Sequence, residues 1–270
     1  MKMRSRSEKS ICHSRCTLSL GILFPFLAFL LMQNVVAQTS FSDEIIITGQ
    51  TYAANSIFSA DLDGDGDHDL LSASSGDDKI AWYENIDGLG TFGPQQVITT
   101  SAGDAQSVYS ADLDGDGDHD VLSASMYDDK IAWYENLDGQ GTFGPQQVIT
   151  TSANGAKSVF SADLDGDGDN DVLSASSGDD KIAWYENTDG LGTFGPQLII
   201  MSATDAVAVF SVDLDGDGDN DVLSASDWDD RIAWYENIDG QGRFGTQQII
   251  TTNTNGARSV FSTDLDGDGD

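Results

Sequence analysis

Asp112-Leu113-Asp114-Gly115-Asp116-Gly117-Asp118-His119-Asp120, followed by Val121-Leu122-Ser123-Ala124-Ser125, is one of five near-copies in a chain of 270 residues. The copies begin at Asp61, Asp112, Asp163, Asp213 and Asp264, spaced 51, 51, 50 and 51 residues apart, and the fifth stops at Asp270. A period near 50 residues is the first thing to explain. Between copies the apolar and β-branched residues come in short runs separated by Gly and Asp. In the second repeat the spacing predicts strand A over Ser107–Ala111, strand B over Val121–Ser125, strand C over Lys130–Asn136 and strand D over Phe143–Thr151. In strand C, Ile131 and Trp133 alternate with Ala132 and Tyr134, so both faces are apolar, as in a sheet packed between two others. Frequent Gly and Asp leave no long helical stripe. These features predict an all-β chain, a β-propeller of four-stranded antiparallel blades, with a β-solenoid as the alternative.

Complete repeats start near Ser56, Ser107, Ser158 and Ala208. Phe41–Gly49 aligns with strand D, and Ser259–Thr263 reads as a further strand A. A solitary D strand at one end and a broken repeat at the other suggest a ring that continues beyond this sequence.

The loop between strands A and B carries its own chemistry. Carboxylates at positions 1, 3, 5 and 9 converge if the chain curls about a point. Gly at position 6 permits the sharp turn, and position 7 can offer a carbonyl. Several hard oxygens in a flexible ring suit Ca²⁺; without a cation, converging carboxylates repel one another. The alternative is a set of solvated polar turns. Position 12 is Ser72 rather than Glu, and a strand follows, which sets the loop apart from an EF-hand.

The spacing Asp-x-Asp-x-Asp-Gly-x-x-Asp inside a β-hairpin, with the longer run at Asp61–Ser74, Asp112–Ser125, Asp163–Ser176 and Asp213–Ser226, resembles the FG-GAP repeat family. That family includes secreted bacterial VCBS-type repeats and the propeller of integrin α subunits. The resemblance covers Phe41 to Asp270. Ser72-Ala73-Ser74 stands where the family has Gly-Ala-Pro, and Phe92-Gly93 precedes strand D. This points to the bacterial branch and leaves integrin-like ligand specificity unsupported. The resemblance implies calcium in each A–B hairpin. Its ligands would be Asp61, Asp63, Asp65 and Asp69 with the Asp67 carbonyl, then Asp112, Asp114, Asp116 and Asp120 with Asp118. They continue as Asp163, Asp165, Asp167 and Asp171 with Asp169, and Asp213, Asp215, Asp217 and Asp221 with Asp219. The fifth loop keeps Asp264, Asp266 and Asp268 but lacks position 9 and is expected to bind weakly.

The chain holds 46 acids and 12 bases, a net charge of −34. Residues 1–37 are of a different kind. Lys2, Arg4, Arg6, Lys9 and Arg15 precede an uncharged apolar run from Thr17 to Met32, and Val35-Val36-Ala37 supplies small residues. This reads as a secretory signal peptide, with an uncleaved anchor as the alternative; residues 38–270 form the repeat domain. That domain keeps seven bases and 45 acids, for a charge of −38. It would be repelled by nucleic acid and anionic membranes and suits cations. Both cysteines, Cys12 and Cys16, precede it, so a bound metal, not a disulfide, is the expected staple.

His68 and His119 are the two histidines after residue 37, and both sit in aspartate loops, which leaves nucleophilic catalysis without an obvious base. Glu84, Glu135, Glu186 and Glu236 are one repeated position, as are Trp82, Trp133, Trp184 and Trp234, which are expected to pack between blades. The copies differ after the LSAS run (Ser75-Gly76, Met126-Tyr127, Ser177-Gly178, Asp227-Trp228) and in the D–A connections. Both turns fall opposite the aspartate loops, making Tyr127 and Trp228 candidates for a ligand rim. The expectation is a secreted, calcium-binding adhesion or ligand-binding module with an extracellular protein or glycan partner and no enzymatic activity. Alternatives are a portion of a polysaccharide-active hydrolase or lyase, and a structural surface repeat.

Overall fold

Strand B decides how each blade is placed. Asp120–Ser125 is buried at every residue, and so are Asp171–Ser176 and Asp221–Ser226, so both faces of the sheet must be covered. The computed structural model describes residues 46–265. The first blade comprises β1 (Ala54–Ala60), β2 (Asp69–Ser74), β3 (Lys79–Tyr83) and β4 (Gln96–Thr99). The second comprises β5 (Ala105–Ala111), β6 (Asp120–Ser125), β7 (Lys130–Tyr134) and β8 (Gln147–Thr150). The third is β9 (Ala156–Ala162), β10 (Asp171–Ser176), β11 (Lys181–Tyr185) and β12 (Leu198–Ser202). The fourth is β13 (Ala206–Val212), β14 (Asp221–Ser226), β15 (Arg231–Tyr235) and β16 (Gln248–Thr251). Each is a four-stranded antiparallel meander in sequence order. The fold is all-β and propeller-like, and no ring closes among the described residues.

Several element boundaries depart from the sequence reading. Strand B begins one residue early, at Asp120, and strand C ends at Tyr134 and not at Asn136, which pairs only through an isolated bridge. Strand D is shorter than Phe143–Thr151: Gly144 and Pro145 interrupt it, and Phe143 pairs only through an isolated bridge to Asn136. Strand A begins two residues early, at Ala105, because a bulge at Gln106 extends the ladder. Ser259–Thr263 forms no strand, and no strand pairs with it among the described residues. Ile46–Gly49 is likewise irregular; residues 1–45, including the expected signal segment, fall outside the description.

The cores lie between blades, as the alternation in strand C requires. Ile80 and Trp82 face the second blade, where Val108, Val121 and Tyr134 meet them. Ile131 and Trp133 face the third blade, and Ile182 and Trp184 the fourth. Each indole stands edge-on to a phenylalanine of the next blade, Trp82 to Phe143, Trp133 to Phe194 and Trp184 to Phe244, at 6.3–6.5 Å. The ring also covers a glycine: a Cβ on Gly141 (φ +77) would collide with Trp82, and Gly192 and Gly242 stand in the same relation to Trp133 and Trp184.

The A strands lie side by side, β1 beside β5, β5 beside β9 and β9 beside β13, and form the inner edge of the arc. Along them runs a continuous aromatic file, Phe58–Tyr109–Phe160–Phe210–Phe261, with centroids 4.5, 4.6, 4.8 and 4.9 Å apart. Phe261 keeps its place in the file although its segment pairs in no sheet. At the B–C end, aspartates in the left-handed region latch successive blades. Asp78 (φ 55) accepts the Asp104 N–H at 2.8 Å, and Asp129 (φ 54) accepts Gly155 at 2.9 Å.

Candidate metal centre and the opposite rim

The A–B hairpin is ordered by its own aspartates. Asp61 takes the Gly64 N–H on Oδ1 (2.8 Å) and the Gly66 N–H on Oδ2 (3.0 Å). Asp65 accepts Asp67 N–H at 2.9 Å. Asp69, buried at the start of β2, accepts Leu62 N–H at 3.0 Å and Asn85 N–H at 2.8 Å. The next two loops repeat these bonds, with Asp120 and Asp171 in the role of Asp69.

These bonds bring carboxylate oxygens together. Asp61, Asp63 and Asp69 each place one within 4.8 Å of the others, as do Asp112, Asp114 and Asp120, and Asp163, Asp165 and Asp171. In the fourth loop the set is Asp213, Asp215 and Asp217, so position 5 replaces position 9 and Asp221 is not part of it. Conversely Asp65, Asp116 and Asp167 stand outside the first three sets. Position 7 turns its side chain elsewhere: the Asp67 carboxylate lies against Gly88 of the C–D loop, and Asp118, Asp169 and Asp219 lie against Gly139, Gly190 and Gly240. In the fifth loop, Asp266 and Asp268 fall outside the described residues.

The electrostatics favour a cation. Burial, reinforced by Asp69 and Asp65, pushes the Asp63 carboxyl up to about 6. Burial raises Asp120 and Asp171 to about 7, against two backbone N–H bonds that pull each down. Asp69, Asp114, Asp165 and Asp221 are raised for the same first cause. An all-oxygen donor set whose charged form is penalised by burial and by its own members fits a hard divalent cation such as Ca²⁺.

The loops also join blades. Leu62 is fully buried in the core shared with the second blade, and its carbonyl accepts Asn136 Nδ2 from that blade at 2.9 Å. Asn187 reaches Leu113 and Asn237 reaches Leu164 in the same way (2.8 and 2.9 Å). In the third and fourth blades the position-8 residue adds a bond: Asn170 donates to the Asp112 carbonyl (2.9 Å) and Asn220 to that of Asp163 (2.8 Å). The first two blades carry His68 and His119 there. His119 lies 3.3 Å from Ser110, but Ser110 already donates to the Asp120 carbonyl at 2.8 Å. Ser161 and Ser211 make that same bond beside asparagines, so the serine's place in the hairpin does not depend on the histidine.

At the opposite end the B–C and D–A turns are bonded together. Met126 N–H donates to Asp104 O and Tyr127 N–H to Gly103 O, both at 3.1 Å, and Asp227 N–H donates to Asp205 O. Tyr127 and Trp228 project from this rim with 80% and 82% of their surface exposed. They belong to the second and fourth blades, and no contact joins them.

The profile of the FG-GAP-like repeat family matches residues 61–123, 112–174, 163–224 and 213–270. The chain belongs to the FG-GAP-like repeat family. Each of the first three FG-GAP-like matches starts at one aspartate loop and runs into strand B of the next blade, and the fourth runs from the loop at Asp213 to Asp270, so a match spans parts of two neighbouring repeats. A comparison with curated proteins finds no match. Among solved structures the FG-GAP-like chain is similar to the BBS1N chain in the crystal structure of its complex with ARL6DN, soaked with lead. That likeness has 12% identity and a TM-score of 0.49, and covers 73% of this chain and 56% of that one. It is similar also to the V. cholerae biofilm matrix protein Bap1, at 22% identity and TM-score 0.39, covering 72% of this chain and 30% of that one. The chain thus spans little more than half of the first and under a third of the second.

Sequence reading missed several partners in this FG-GAP-like array. The asparagine ending the Trp-Tyr-Glu-Asn run is repeated and visible, but its acceptor lies 74 residues earlier. The aromatic file is visible as a repeated Phe or Tyr in strand A, three residues before the first aspartate of the loop.

Proposed function

We propose that this chain is a secreted, calcium-stapled repeat module that binds an extracellular protein or glycan through the rim opposite its aspartate loops. The observation that carries the reading is the triple convergence of carboxylates at the same loop positions in three successive blades, with a fourth set shifted by one ligand. A divalent ion there would tie strand A to strand B, and the loop's bonds to the next blade would extend that stiffening to the interface. Asp61, Asp63 and Asp69, with Asp65 close enough to raise Asp63, would hold the ion of the first blade, and the equivalent residues those of the others. When bound, calcium supplies charge neutralisation and cross-linking. The extracellular assignment draws on the basic-then-apolar start of the sequence, and the ligand-binding assignment on the exposed Tyr127 and Trp228.

Scanning calorimetry of the protein in EGTA and in millimolar calcium tests the staple. Each site that binds should add about 2.7 kcal/mol when free calcium exceeds its Kd a hundredfold. Unfolding at the same temperature in both buffers would overturn the reading.

A further inference from the structure

A second site lies at the centre of the rim, where the inner strands begin. One residue at the start of each A strand is set out of register by a bulge: Asn55, Gln106, Lys157 and Val207 fall between paired neighbours in β1, β5, β9 and β13. A bulge re-aims its side chain, and these four, with Arg258 at the equivalent place in the next repeat, line one open cavity of about 510 Å³. That volume lies within the range of small-molecule sites. In repeats otherwise near-identical, this position is Asn, Gln, Lys, Val and Arg in turn.

The chemistry of the cavity differs from that of the rest of the molecule. Of the seven basic residues after residue 37, Lys79, Lys130, Lys181 and Arg231 repeat one position, each paired with the aspartate two residues before it. Two of the remaining three, Lys157 and Arg258, line the cavity, where Asp205 and Asp227 balance them. Arg258 pairs with Asp227 at 3.1 Å, and Lys157 donates to Gln106 at 3.3 Å. The site is therefore close to neutral in a strongly acidic protein, and it presents donors and acceptors side by side. Ser177 and Asp205 also line an adjoining cleft of about 270 Å³ whose wall is Trp228. Adjacent donor–acceptor pairs suit vicinal hydroxyls, which both give and accept hydrogen bonds. An exposed indole suits the C–H face of a sugar ring. Asp180 also lines the cleft and leaves the combined surface with one acid in excess, so an anionic sugar finds no net positive charge to meet.

We propose that the central cavity and its Trp228 wall bind a neutral oligosaccharide, with the bulged residues Gln106, Lys157 and Arg258 and the acids Asp205 and Asp227 reading its hydroxyls. The proposal rests on the ligand-binding reading of the rim and narrows it to one place and one ligand class. The site is built from residues that vary between repeats, so it occurs once in the array, whereas the metal loops occur in every blade.

Trp228 provides the readout, since Trp82, Trp133 and Trp184 are buried and Trp234 is partly so. The calcium-loaded protein is titrated with neutral gluco-, manno- and galacto-oligosaccharides and with uronate-containing ones, following tryptophan emission and its quenching by acrylamide. Saturable protection by a neutral glycan is expected, weakened about tenfold or more in Trp228→Ala and in Lys157→Met. Binding confined to the uronate-containing probes overturns the neutral class, and no binding by any probe overturns the site. Binding that survives both substitutions but is lost in Tyr127→Ala overturns this cavity while leaving the rim in place. Calcium-dependent melting of the same samples reports separately on the metal staple and on the folding of each variant.

Discussion

The indole of Trp82 lies over Gly141 of the following blade, where a Cβ would collide with the ring. Gly90, the equivalent glycine of the first blade, has the same left-handed backbone (φ +90) but open space where its Cβ would stand. Gly90→Ala thus bears the backbone cost alone, about 1 kcal/mol. Gly141→Ala adds overpacking of about 1–3 kcal/mol. Urea unfolding of the two variants should separate them by that difference; equal costs would show that the ring moves aside freely.

The raised carboxyls set a pH dependence. Asp120 and Asp171 move from an ordinary value of 3.8 to about 7 in the folded chain, so between those limits the native state holds more protons than the unfolded one. Their contribution to the metal-free protein is fully present below about 3.8 and is lost as pH rises through about 7. Asp77, Asp87, Asp138 and Asp189 are lowered, so their contribution is lost only in more acidic solution, below that window. In EGTA the melting temperature should be higher at pH 5.5 than at pH 8. The calcium-induced rise should be larger at pH 8, where the carboxylates are ionised. Calorimetry at the two pH values checks both signs.

Asn136 should matter more than Asn85. Asn136 Nδ2 bonds the buried Leu62 carbonyl of the preceding blade as well as His119 O, whereas Asn85 Nδ2 bonds His68 O within its own blade. Asn136→Ala strands a buried acceptor and is expected to cost about 1–3 kcal/mol more than Asn85→Ala. Chemical unfolding of the pair measures it.

Tyr109 touches rings on both sides in the file, Phe58 and Phe160, while Phe261 touches Phe210. Tyr109→Leu should lose two aromatic pairs, about 1–3 kcal/mol, and Phe261→Leu one, about half as much. A smaller loss at Tyr109 than at Phe261 would remove the file from the account of stability.

The blade was legible because strand C alternates two apolar faces and the Asp-Gly loop punctuates it; Ile131 and Trp133 do face one neighbour and Tyr134 the other. The loop positions that converge were legible in part. Positions 1, 3 and 9 meet in three blades, but position 5 takes the place of position 9 in the fourth. Interfaces were the hidden part. The Asn136–Leu62 bond joins residues far apart in sequence, and the bulges at Gln106 and Lys157 follow from ladder register, which residue types alone do not fix.

The aromatic file, the tryptophan–glycine cover and the asparagine bond recur at every junction between neighbouring described blades, and the position-8 residue, His or Asn, is where the junctions differ. Most of one interface is therefore transferable to the next. In a chain so built, stability accumulates by nearest-neighbour terms, and the gene can be lengthened or shortened by whole repeats without designing a new interface. The cavity at the rim is the part that such editing would change, because its identity resides in the order of the blades.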